Sequence, residues 1–74
     1  MPTRNLRRLT YAANTIQARE DWRKLADFAE ARGHVDLVEQ FTPPAYAGWK
    51  RIDRCIARLR EALRGRDVED LDDA

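Results

Sequence analysis

The sequence is poor in the residues from which metal centres and disulfides are built. It contains one cysteine, Cys55, and one histidine, His34, among 74 residues. A lone thiol cannot close an internal disulfide or supply a multi-thiolate metal site, and we expect it in a reducing compartment. A lone histidine without Cys, Asp or Glu ligands at suitable spacing does not make a metal site either. We therefore interpret His34 as a turn or capping residue and Cys55 as a small buried hydrophobe.

Glycine and long apolar runs are scarce as well. The three glycines, Gly33, Gly48 and Gly65, form no Gly-rich phosphate loop, and in a chain that is 36% charged they favour helices with short connections over strands. No apolar run approaches the ~20 residues that cross a bilayer, and no signal-like apolar stretch follows the basic N-terminus. These absences predict an all-α protein of the cytoplasm that does not enter a membrane.

No catalytic constellation is evident. A nucleophilic role for Cys55 would need an activating base, and His34 is the sole candidate. Glu20 and Asp21 are adjacent acids of a kind common on protein surfaces, and nothing in the sequence gives them a pocket. We predict that the protein is not an enzyme and that it needs no cofactor or metal.

The chain is long enough for one domain with a modest core. Leu, Ile, Val, Phe and Trp together number 17. A core of this size yields roughly 3 to 5 kcal/mol after chain entropy is subtracted, so binding to a partner or to a second copy of the chain would add useful stability. The 12 arginines against 2 lysines, together with 11 alanines, favour a GC-rich bacterial or phage genome.

One predicted helix is marked at both ends, from Thr42 to Gly65. Thr42 suits the N-cap, Pro43 the first helical position, and Gly65 the left-handed position after the last turn. Between them, apolar residues recur at spacings of 3, 4, 3 and 4, the period of a one-sided helix. The stripe comprises Trp49, Ile52, Ile56, Leu59 and Leu63, widened by Cys55 and Ala62. We expect it to face a helical core.

The sequence of residues 3–32 is compatible with one long helix or with two helices. At about 100° per residue, two groups of apolar side chains fall on nearly opposite faces. The groups are Leu6, Leu9, Ala13 and Ile16, and Trp22, Leu25, Ala26 and Ala29. One straight helix would need cores on both sides, which favours a break or kink between about 14 and 21, where Asn14 with Gln17, or Asp21, suits a new cap.

A short helix and an acidic end complete the predicted architecture. Gly33 ends the first segment, and the short helix that follows carries Val35, Leu37, Val38 and Phe41. The last eight residues include five acids, with only Val68 and Leu71 to bury, which predicts fraying. We expect a three- to four-helix bundle, with a single domain over residues 1–66 and a flexible acidic tail over 67–74.

Charge is strongly polarised along the chain. The formal charges are +3 for residues 1–32, −2 for 33–44, +5 for 45–66 and −5 for 67–74, which sum to +1. In the third segment, four cations lie opposite the apolar stripe and form what we call the basic ridge: Lys50, Arg51, Arg54 and Arg58. Guanidinium groups bind carboxylates and phosphates alike. Charge that serves only solubility is the alternative interpretation, and the acidic tail could also fold back over the ridge.

Two tyrosines extend the candidate binding surface. Trp49 heads the apolar stripe and is expected in the core, whereas Tyr11 and Tyr46 lie off the main apolar faces of their predicted helices. Exposed aromatic side chains mark many binding hot spots. The candidate partner-binding residues are thus Tyr11 and Tyr46 with the four members of the basic ridge.

Two functions of different classes follow from this pattern. The first is a small helical protein that binds an acidic protein, as an adaptor or an inhibitor. The second is a nucleic-acid-binding or transcription-associated accessory that uses the basic ridge or the cluster Arg4, Arg7 and Arg8. A homo-oligomer is a further alternative.

A helix-turn-helix interpretation of residues 25–41 is disfavoured. Ala29 and Gly33 have the spacing of that turn. The helix that would enter the DNA groove, however, carries Asp36 and Glu39 and no Arg or Lys, the wrong sign for a polyanion. No family resemblance is identified.

Overall fold

The fold consists of helices. The computed structural model describes the backbone of residues 2–71 and the side chains of residues 10–71. Within that range the chain forms three helices, α1 (Pro2–Ala31), α2 (Val35–Phe41) and α3 (Trp49–Gly65), and no strand. The prediction of an all-α protein is confirmed.

The first helix, α1, is continuous over 30 residues, so the break predicted between about 14 and 21 is wrong. The Gln17 amide does not cap a new helix but donates to the Asp21 carboxylate, one turn further on, at 3.0 Å. A continuous helix is tolerated because two described residues of the first apolar group stay in solvent: Ile16 is 60% exposed, and Ala13 is exposed too. The side chains of Leu6 and Leu9, which share that face, lie outside the described residues.

The end of α1 is a Schellman motif around Gly33, whose φ is +86°. The Gly33 N–H donates to the Glu30 carbonyl at 3.0 Å, and the His34 N–H donates to the Ala29 carbonyl at 2.9 Å. These bonds satisfy carbonyls that otherwise have no hydrogen-bond partner at the end of a helix. The predicted end of this helix is confirmed, as is the short helix that follows it.

The third helix begins at Trp49, so the start predicted at Thr42 and Pro43 is wrong. Gly48 is the N-cap, and residues 42–48 form a loop. The physical reason is the second proline, because Pro44 disfavours the helical conformation in the residue before it. Thr42 instead closes α2, and its hydroxyl donates to the Val38 carbonyl at 2.6 Å.

The end of α3 also differs from expectation. Gly65 is the last helical residue, and Asp67, with φ 54°, takes the left-handed position that was predicted for the glycine. The Asp67 N–H donates to the Arg64 carbonyl at 3.0 Å, and the Val68 N–H donates to the Leu63 carbonyl at 3.3 Å. This is a second Schellman motif. Aspartate is one of the few residues besides glycine that visits this conformation with some regularity.

The core follows the apolar stripe of α3, as predicted. Ile52, Leu59 and Leu63 are fully buried, while Trp49 and Ile56 are half-buried. Residues of both other helices join them in one cluster: Trp22, Leu25, Ala26 and Ala29 from α1, and Leu37 and Val38 from α2. Full burial of one Leu or Ile side chain contributes about 1.5 to 3 kcal/mol, so this stripe is a main source of stability.

The helices α1 and α3 run in the same direction. Trp49, at the start of α3, shares a cleft with Ala18, and Ile56, two turns later, shares one with Leu25. Because the two helices are parallel, α2 and the loop 42–48 must run back along them. The end of α2 is thereby placed beside the first half of α3.

Residues 67–71 pack against the rest of the molecule. Leu71 is buried in the core, and Val68 is half-buried. The Arg60 guanidinium donates to the Leu71 carbonyl at 3.5 Å. The core therefore extends beyond the boundary expected at residue 66. The flexibility of the tail stays a prediction, and Asp72 and Asp73 lie outside the described residues.

Replacing Gly33 and Gly65 with alanine should change the free energy of unfolding in opposite directions. Apart from neighbouring backbone, no atom lies within 4 Å of a Cβ built on Gly33 or on Gly65, but only Gly33 has a positive φ. We expect Gly33→Ala to lower the free energy of unfolding by about 1 to 2 kcal/mol, since alanine is strained in the left-handed region. Gly65→Ala should raise it by about 0.5 to 1 kcal/mol, because alanine favours the helix. Urea unfolding measures both, and shifts of the same sign would contradict the assignment.

Candidate functional site

The loop of residues 42–48 is held against α1 by Arg19. The half-buried guanidinium of Arg19 donates to the Ala47 carbonyl at 3.0 Å and also to the Ala45 carbonyl. The same segment contains a turn, in which the Ala47 N–H donates to the Pro44 carbonyl at 3.0 Å. One planar guanidinium therefore satisfies two carbonyls of a segment without regular structure.

Tyr11 lies across the beginning of α3. Its hydroxyl oxygen is 2.0 Å from the point where a Cβ on Gly48 would stand, so an alanine at this position would force Tyr11 to move. The ring remains 55% exposed. Tyr11 thus has a structural contact in addition to the partner contact predicted from the sequence.

The Arg19 contact predicts a large loss of stability on substitution. We expect Arg19→Ala to lower the free energy of unfolding by about 1 to 3 kcal/mol, because two carbonyls lose a charged donor. Arg19→Lys should recover part of this loss, since an ammonium keeps the charge but does not reproduce the position of the Nη2 donor.

The matched control for this prediction is Arg23→Ala in the same helix. Arg23 is exposed and lies 3.6 Å from Asp27 and 3.9 Å from Glu30, and such surface pairs are worth about 0 to 1 kcal/mol. Urea unfolding of the three variants separates the effects. If Arg19→Ala costs no more than Arg23→Ala, Arg19 does not hold the loop.

Three arginines of the basic ridge line a groove between α3 and the end of α2. Arg51, Arg54 and Arg58 are exposed and follow one another along α3. The groove has a volume of about 370 Å³, and its other lining residues are Gln40, Phe41, Thr42, Pro44 and Cys55. This volume is at the lower end of the roughly 300 to 1,000 Å³ that ligand sites occupy.

The three groove arginines, as we call Arg51, Arg54 and Arg58, have no acidic partner among residues 10–71. Within that range the side chains of Arg54 and Arg58 make no hydrogen bond or ion pair, and Arg51 has one aromatic contact, its guanidinium carbon 5.8 Å from the centroid of the Tyr46 ring. Other arginines do pair with acids, namely Arg23 with Asp27, Arg64 with Glu61 and Arg66 with Asp36. Among residues 10–71, the groove is therefore a cluster of arginines that have no ion-pair partner.

The other predicted binding residues are only partly brought to this site. Lys50 lies outside the groove, with its Nζ 5.5 Å from the centroid of the Trp49 ring. Tyr11 lies over Gly48 instead. Tyr46 adjoins the groove through Arg51 and is 82% exposed, but it lies in a turn and not on a helix as predicted. The side chains of Arg4, Arg7 and Arg8 lie outside the described residues.

A second polar cluster joins the end of α3 to the beginning of α2. The Arg66 guanidinium donates to both carboxylate oxygens of Asp36, at 3.0 and 2.6 Å, and its Nη1 lies 3.2 Å from Nδ1 of His34. The hydrogen bond from Arg66 lowers the pKa of Asp36 below its ordinary value of 3.8, and the positive charge of Arg66 acts in the same direction. His34 thus lies at a helix junction, where the sequence placed it.

This pair predicts a stability change in acid. Because the pKa of Asp36 is lower in the folded protein, the pair stabilises the fold above the unfolded value near 3.8 and ceases to do so as the pH falls through the folded pKa. A ¹³C titration of the Asp36 carboxyl should give a midpoint below that value. In Arg66→Gln the midpoint should rise toward it, and an unchanged midpoint would show that Arg66 is not the cause.

The described residues offer no metal centre. Among them, no group of three or more His, Cys, Asp and Glu side chains is placed to hold a metal ion. Cys55 is half-buried at the edge of the apolar stripe and lines the groove. In the described part of the chain, no helix has the length and apolar character needed to cross a membrane.

Sequence reasoning missed the second wall of the groove and the residue that supports it. Gln40, Phe41, Thr42 and Pro44 were assigned to the end of one helix and the start of the next. The adjacent prolines carried the signal for a loop here. Arg19 gave no local signal, because the carbonyls that it binds are 26 and 28 residues away.

No protein-family model, curated protein or solved structure matches this chain. Any functional assignment has to come from the residues of the site itself.

Proposed function

We propose that this chain is a small non-enzymatic binding protein of bacterial or phage origin, which acts in the cytoplasm as an adaptor or inhibitor of an acidic protein. The three groove arginines make the central contact, with Tyr46 at their edge and Lys50 and Tyr11 at the periphery. In this proposal the helices form a small bundle whose last residues are flexible, and no cofactor takes part.

The observation that carries the proposal is the unpaired charge of the groove arginines. Arg54 and Arg58 are one turn apart, and like charges at that spacing destabilise a helix by about 0.2 to 0.5 kcal/mol. Carboxylates elsewhere on the molecule pair with Arg23, Arg64 and Arg66. An anionic partner would relieve the repulsion at the groove, where the protein itself supplies no carboxylate within residues 10–71.

The described part of the acidic tail, residues 67–71, lies away from the groove arginines. Arg60, which binds the Leu71 carbonyl, lines a cleft with Asp21 and Lys24 of α1. The groove arginines face the end of α2, on the other side of α3. Within residues 67–71 no carboxylate pairs with a groove arginine, which supports a ridge that is open to a partner.

Nucleic acid is the second candidate partner. Arg51 and Arg58 are about 10 Å apart along the helix axis, at 1.5 Å per residue, and such a row suits phosphates as well as carboxylates. Three contacts would give a slope of about −3 in a plot of log affinity against log salt concentration. Half-buried Phe41 and Cys55 in the groove, however, offer nothing to a phosphate backbone.

The test compares fluorescently labelled poly-L-glutamate with labelled duplex DNA in an anisotropy titration at several salt concentrations. We expect poly-L-glutamate to bind, and Arg54→Glu with Arg58→Glu to weaken that binding at least about tenfold, a loss of about 1.4 kcal/mol. The matched control, Arg23→Glu with Lys24→Glu, makes the same charge change on exposed residues of α1 and should bind as the parent does.

Two results would contradict the proposal. One is no binding of poly-L-glutamate at low salt, and the other is an equal loss in both double variants. Binding of DNA in preference to poly-L-glutamate, lost in Arg54→Glu with Arg58→Glu, would favour the second candidate. Circular dichroism and urea unfolding check that the variants are folded.

A further inference from the structure

The groove combines positive charge with a small apolar patch. Phe41 and Cys55 pack against the core but remain half-buried, and Pro44, also half-buried, lies beside them in the lining. Contact of these side chains with an apolar group has a lower free energy than their contact with water. A ligand that satisfies the whole groove must therefore bring an apolar group as well as anions.

The Thr42 hydroxyl adds a constraint on the ligand. Its proton is committed to the Val38 carbonyl at 2.6 Å, so the hydroxyl oxygen of this groove-lining residue has only lone pairs left to offer. A peptide has backbone N–H groups that can donate to such an oxygen. Ionised phosphate brings acceptors alone, so beside it the exposed Thr42 oxygen can accept only from water.

We propose that the groove binds a short acidic peptide segment that inserts one apolar side chain between its carboxylates. The groove arginines would take the carboxylates as paired hydrogen bonds, and Phe41, Pro44 and Cys55 would take the apolar group. A volume of about 370 Å³ suits one or two side chains better than a helix or a domain face. The inference names the element of the acidic partner that is recognised, and it rests on the proposed function.

The chain's own acidic segment is a poor occupant. It too has apolar residues among acids, but Leu71 is buried in the core of its own molecule and Val68 is half-buried there. A second copy could offer this segment only by giving up those contacts. The occupant is therefore a peptide of another protein.

The experiment uses three synthetic peptides of equal length: Glu-Glu-Leu-Glu-Glu, Glu-Glu-Ser-Glu-Glu and Gln-Gln-Leu-Gln-Gln. Binding is measured by anisotropy, and also by the rate at which iodoacetamide alkylates Cys55, the only thiol, which lines the groove. We expect the first peptide to bind at least about tenfold more tightly than the second, from burial of one leucine, and to slow alkylation. The third peptide should do neither.

Two variants separate the charged and apolar parts of the site. Arg54→Glu with Arg58→Glu should abolish binding of both acidic peptides. Cys55→Met, which fills part of the groove, should remove the preference for leucine over serine, because the apolar side chain of the peptide then loses its place. Urea unfolding confirms that each variant is folded at the concentrations used.

Equal affinity for the leucine and serine peptides, with poly-L-glutamate still bound, would overturn this inference and leave the proposed function intact. If the unsubstituted protein does not bind poly-L-glutamate, both the proposed function and this inference are wrong. Protection of Cys55 by inorganic phosphate as strong as that by the leucine peptide would assign the groove to phosphate. Self-association in sedimentation that disappears in Arg54→Glu with Arg58→Glu would assign it to a second copy.

Discussion

The parallel packing of α3 on α1 determines where the other parts of this chain lie. The helices α1 and α2 together bury three apolar residues of α3: Ile52, Leu59 and Leu63. Because α1 and α3 run in the same direction, the connection between them has to return along their length. That return path places the end of α2 next to the first half of α3, and the groove is the space between them.

The return path is held by a few polar contacts. Arg19 satisfies two carbonyls of the loop 42–48, and Thr42 closes α2 with its hydroxyl. At the far end, Arg66 binds Asp36 and joins the last turn of α3 to the beginning of α2. These contacts position one wall of the groove relative to the arginines on the other, so the shape of the binding surface depends also on Arg19 and Arg66, which do not line the groove.

Local patterns predicted the elements better than their arrangement. The stripe on α3 and the helix end at Gly33 follow from periodicity and glycine conformation, and both are confirmed. The break in α1 was inferred from the premise that each apolar face needs a core, yet Ile16 simply remains exposed. The groove was missed because it joins Phe41 to Arg54 across a loop, and Arg19 was missed because its acceptors are distant in sequence.

Nuclear Overhauser contacts between α1 and α3 in a ¹³C- and ¹⁵N-labelled sample test the parallel packing most directly. Contacts of the Trp49 indole with the Ala18 methyl, and of Ile56 with Leu25, are expected, because each of these pairs lines a common cleft. Contacts of Trp49 with Ala29 would instead mean that the two helices run in opposite directions. The groove would then lose one of its walls, and with it the arrangement that brings an apolar lining beside the arginines.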